Sequence, residues 1–121
     1  MNSPIELDPR FLRGVELFNV RDFLDASEEF EELFFEVMSE EQEFVRFFLQ
    51  VSVGLHHIER GQNRAAVERL TVAIDTLPLL MSDRGYDLES LRVATGKVID
   101  AVQAHGIMGM PAIMWPTIER L

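Results

Sequence analysis

Apolar residues fall at three- and four-residue intervals along almost the whole chain, and no stretch shows the bounded alternation that a half-buried strand requires. The pattern predicts an all-α fold, a single-domain bundle of about five helices built from two successive helical hairpins. Punctuation residues place those helices. Asp8 followed by Pro9 reads as a cap and a first-turn proline, opening a helix that carries Phe11, Leu12, Val15 and Phe18 and ends near Asn19. Asp22 caps a second helix with an inward stripe of Phe23, Ala26, Phe30, Leu33, Phe34 and Val37. A third starts near Ser39, with glutamates in its first turns where the helix dipole favours negative charge, and runs to a stop at Gly61. Asn63 is expected to cap a fourth, which Pro78 ends, and Asp87 a fifth, which Gly106 closes. The helical domain is then residues 1–106, and residues 107–121 form an apolar C-terminal strap rich in Met, Pro and Gly.

The first hairpin is echoed by the second at a constant offset of about forty residues, within the range of helical repeats. Gly14 matches Gly54, Phe18 matches Ile58, Ala26 matches Ala66, Phe30 matches Leu70, Phe34 matches Ile74 and Val37 matches Leu77. Two amphipathic hairpins share such a pattern by construction; a divergent tetratricopeptide-like pair is the alternative reading.

Charge and composition narrow the function classes. Among 121 residues, 21 acidic against 11 basic side chains give a formal charge of -10, which repels phosphate backbones and argues against nucleic acid as a partner. The absence of cysteine excludes a disulfide scaffold, a thiolate zinc site and a cysteine nucleophile. Met1 to Pro9 has neither a basic nor an apolar leader region, and the apolar run Phe47 to Leu55 is short and broken by Gln50 and Ser52. A cytoplasmic protein without a membrane partner is expected.

Eight glutamates lie between Glu28 and Glu43. Turned around a helix at about 100° per residue, Glu28, Glu29, Glu32 and Glu36 point away from the Phe23, Phe30, Phe34 stripe and read as a solvated face. Glu31 sits at the stripe's border beside Leu24, Ser27, Phe34 and Phe35, where a carboxylate is expected to be partly desolvated and hydrogen-bonded. Ser27 points to the same border. His57 lies on the apolar side of the third helix, either as a satisfied core histidine or as a metal ligand or proton carrier beside Glu31. His105 reads as a C-terminal residue that compensates the helix dipole. No phosphate-binding glycine loop, HExxH helix or Ser-His-Asp order is visible.

The runs Leu17-Phe18-Asn19, Asp22 to Glu28, Phe30-Glu31-x-Leu33-Phe34, Phe48 to Leu55 with His57, and Gly61-x-Asn63-x-x-Ala66 together resemble the bacterial and archaeal family known as domain of unknown function 309. That resemblance implies an all-helical cytoplasmic protein, a hallmark HxxxExxW motif thought to bind metal, and no established activity. Ser27 stands at the motif's histidine position, Phe34 at its tryptophan position, and Glu31 is retained. A serine hydroxyl is no substitute for imidazole as a transition-metal ligand, so no metal or other cofactor is expected. Asn19, Ser27, Glu31, His57 and Asn63 are the candidate polar cluster, tying the first three helices together.

The expected function is a binding or protein-interaction module without catalytic activity, its partner a protein or small ligand. Met108, Met110, Ile113, Met114 and Trp115 concentrate apolar surface in the strap, which needs cover from its own domain or from a second copy in a homodimer. The rival reading is a metal-dependent, hydrolase-like enzyme using Glu31 and His57 as ligands or general acid/base, with Ser27 orienting water.

Overall fold

A computed structural model describes residues 4–80, 82–105 and 115–121. Within them are five α-helices: α1 (Pro9–Asn19), α2 (Phe23–Glu36), α3 (Ser39–Glu59), α4 (Asn63–Thr76) and α5 (Leu88–His105). Short 3-10 turns cover Ile5–Leu7 and Leu77–Leu79. The described residues contain no strand, only a lone antiparallel bridge between Tyr86 and Arg120. None of the described helices is long and apolar enough to cross a membrane.

Three of the expected caps form. The Asp8 carboxylate accepts the Arg10 N–H at 2.9 Å, that of Asp22 accepts the Asp25 N–H at 3.4 Å, and that of Asp87 accepts both the N–H and the hydroxyl of Ser90 at 3.0 and 2.7 Å. Asn63 is not a cap. It is the first residue of α4, with Gln62 at the cap position making no capping bond, because the turn ends one residue earlier than the polar side chain suggests. The Oδ1 of Asn63 is instead buried, with no hydrogen-bond partner among the described residues. Gly106, expected to close α5, lies outside the described residues.

Each helix packs chiefly on its neighbour in sequence, α1 on α2, α2 on α3, α3 on α4 and α4 on α5. The two hairpins are built alike down to their hydrogen bonds. In the first turn the amides of Val20, Arg21 and Asp22 donate to the carbonyls of Glu16, Phe18 and Leu17; forty residues on, Arg60, Gly61 and Gln62 donate to His56, Ile58 and His57. Both turns need a left-handed residue, met by Arg21 (φ 66°) in one and Gly61 (φ 75°) in the other. A Cβ on Gly14 would meet the Phe30 ring at 2.6 Å, and one on Gly54 would meet the Leu70 side chain at 2.6 Å. In both hairpins, then, the helices close on a glycine. Across the matched pairs burial also agrees: Phe18 and Ile58, Ala26 and Ala66, Phe30 and Leu70 are buried, whereas Phe34, Ile74, Val37 and Leu77 are half-buried.

Phenylalanines supply most of the largest fully buried side chains. Phe11 and Phe48 are at the centre of the core, 5.1 Å apart edge to face, with Phe30, Phe44 and Tyr86 within 6.0 Å of one or both. Tyr86, on the turn before α5, thereby joins α5 to α1 and α3. Edge-to-face pairs of this kind add roughly 0.5–1.5 kcal/mol each beyond the area they bury.

Candidate functional site

Asn19, at the end of α1, makes a two-point bond to the backbone of the C-terminal segment. Its side-chain amide donates to the Ile118 carbonyl at 2.9 Å, and its side-chain carbonyl accepts the Ile118 N–H at 2.7 Å. Two further backbone bonds hold the segment in antiparallel register: the Asp87 N–H donates to Glu119 at 2.8 Å, and the Leu121 N–H donates to Gly85 at 2.9 Å. Ile118 is buried. Trp115 is half-buried, stacked on Phe23 at 5.6 Å with the Arg21 guanidinium 4.3 Å from its ring centroid. Arg120 covers the Tyr86 ring at 5.3 Å. Burial raises the Tyr86 phenol, with Arg120 acting in the opposite direction. Of the expected strap, Met108, Met110, Ile113 and Met114 lie outside the described residues.

The other members of the expected cluster have different partners. The Ser27 hydroxyl donates to the Leu24 carbonyl one turn back, at 2.6 Å. His57 pairs through Nδ1 with the side-chain oxygen of Gln62 at 2.6 Å, tying the α3–α4 turn. Glu31 is exposed, which corrects the expected burial. The reason is angular: the buried residues of α2 fall within roughly 60° of the Phe30 direction, and Glu31 falls roughly 100° away. Its neighbours on that flank, Leu24 and Phe35, are exposed too and form no wall around it. Among the described residues, no three His, Asp or Glu side chains lie where they would hold a metal ion.

The carboxylates assigned to a solvated face are partly engaged. Arg10 bonds Asp8, Glu32 and Glu36 at 3.3, 3.2 and 2.7 Å, and Arg13 pairs with a half-buried Glu29 at 3.3 Å, so α2 is strapped to α1 along one edge. Hydrogen bonds from Arg10 hold the Asp8 and Glu36 carboxyls below their ordinary values. Burial pushes Glu59 up, opposed by Arg21.

Sequence reasoning missed Arg21 and Tyr86. A usable signal existed for Arg21, which stands where the second hairpin has Gly61, a substitution unfavourable for the turn alone. Tyr86 stands in the Tyr86-Asp87-Leu88 stretch, which also resembles the family, but its packing on Phe11 and Phe48 is a long-range contact that leaves no local pattern.

Residues 11–69 match the family described as Domain of unknown function (DUF309). No curated protein matches the chain.

Proposed function

For a chain whose residues 11–69 belong to the DUF309 family, we propose a protein-interaction module without catalytic activity, working in the cytoplasm and not on nucleic acid. The observation that supports this most is the duplicated hairpin, in which helices of matched register stack in sequence order as in helical-repeat scaffolds, whose extended faces bind other chains. The candidate polar residues support it as well, because Asn19, Ser27 and His57 hydrogen-bond to backbone or to the neighbouring turn, leaving none of them poised as a nucleophile–base pair. The charge of -10 disfavours a polyanionic partner.

The test is photo-crosslinking in cells, with a photoreactive residue placed at Arg13 or Glu16 on the exposed side of α1. A protein adduct of one recurring mass is expected. Adducts only to small metabolites, together with turnover of a hydrolysable substrate by the purified protein, would overturn the reading.

A further inference from the structure

The C-terminal segment is held in the way proteins hold extended peptides. Its fixed points are backbone atoms: Asn19 reads both polar groups of Ile118, and the Gly85–Asp87 turn pairs with Glu119 and Leu121 as one strand pairs with another. Side-chain selectivity is added at two places three residues apart. Trp115 stacks on Phe23 and has the Arg21 guanidinium over its ring, and the Ile118 side chain is buried. Arg21 takes a left-handed conformation, where the matching turn uses glycine, and from it covers Trp115. The segment also leaves its groove unfilled: an opening of about 510 Å³ remains beside it, walled by Leu12, Val15, Glu16 and Asn19.

We propose that this face of α1 and the Tyr86 turn is a binding site for an extended peptide of a partner protein, with an aromatic residue followed three positions later by a branched aliphatic one. Residues 115–121 are its resident competitor. The proposal rests on the interaction-module reading and gives that module its partner chemistry. The tail belongs to the same chain, so an outside peptide binds in proportion to the fraction of molecules whose tail is displaced.

The experiment uses a fluorescein-labelled synthetic peptide copying residues 115–121 and follows its anisotropy against the full chain, with circular dichroism to check folding. Ile118→Asp, which weakens the resident tail, is expected to bind the peptide at least about tenfold more tightly than the unmodified chain. Adding Asn19→Ala to that variant should reverse the gain. If Ile118→Asp fails to fold, Trp115→Ala removes only a half-buried side chain and should give the same rise. No saturable binding by a folded tail variant, binding indifferent to Asn19→Ala, or loss of fold in both tail variants would each overturn the proposal. A dimer, seen by native mass and dissociated by free peptide, would give the groove to the tail of a second copy and overturn the partner assignment. Failure here leaves the module reading intact, whereas turnover or metal uptake would remove that reading without altering the titration.

Discussion

Three glycines separate local propensity from packing at single positions. Replacing glycine by alanine in a helix gains up to about 1 kcal/mol of propensity where space allows. At Gly96 of α5 no atom of the described residues lies within 4 Å of an added Cβ, so Gly96→Ala should stabilise by up to about that amount. At Gly14 and Gly54 the new methyl would lie 2.6 Å from the fully buried Phe30 and Leu70 side chains, which have little room to withdraw. Overpacking of about 1–3 kcal/mol then exceeds the propensity gain, and both variants should lose stability in urea titrations. If Gly14→Ala and Gly96→Ala shift stability in the same direction, the close approach at the hairpin is wrong. Glu31 tests the correction at the other extreme: it is exposed, so Glu31→Ala should change stability by no more than about 0.5 kcal/mol, as for other surface changes. The apolar stripe alone does not show how wide the buried arc of α2 is, and Glu31, roughly 100° from Phe30, falls outside it.

At the scale of elements, caps and clamps carry effects that packing does not. Asp8 caps α1 and bonds Arg10, which holds its carboxyl below the ordinary 3.8. A depressed carboxyl contributes stability that is present above the unfolded value and lost as pH falls through the folded one. Asp8→Ala should therefore cost roughly 1 kcal/mol at about pH 7, and the gap from the unmodified protein should narrow as pH falls below the ordinary carboxyl value of 3.8. A gap independent of pH would mean that the carboxylate charge plays no part. Asn19 acts between elements remote in sequence. Its removal leaves the backbone groups of Ile118 unpaired, which should cost about 1–3 kcal/mol and make Trp115, the only tryptophan, more accessible to acrylamide. Unchanged quenching would place the hold on the segment elsewhere. Helix ends were legible wherever an aspartate and the turn register agreed, at Asp8, Asp22 and Asp87. Asn63 misled because a polar residue near a helix start is a cap only if the preceding turn ends there.

At the scale of the whole molecule, the duplication was readable because it is local: each hairpin repeats its own glycine, alanine and apolar positions, and the matched burial follows from the same helical register. The apolar side chains of the C-terminal strap pointed to cover by its own domain or a second copy, but the surface that covers residues 115–121, α1 and the Tyr86 turn, was not readable, since contacts spanning 99 positions, as between Asn19 and Ile118, leave no periodic trace in one sequence. The candidate cluster was legible as a set of polar positions on helical faces. Its partners were not, because a hydrogen bond to a carbonyl one turn back and one to a distant segment look alike in sequence. In the structure Asn19 holds the tail, Ser27 and His57 bond within or next to their own helices, and Glu31 is exposed, so the five positions do not form one cluster. The most direct measurement is thermal unfolding of chelator-treated protein before and after addition of zinc. The account predicts an unchanged melting temperature. Zinc bound to the native state at about a hundred times its dissociation constant would add about 2.7 kcal/mol, a rise in the region of 10 °C for a chain of this size, and such a rise would contradict the account.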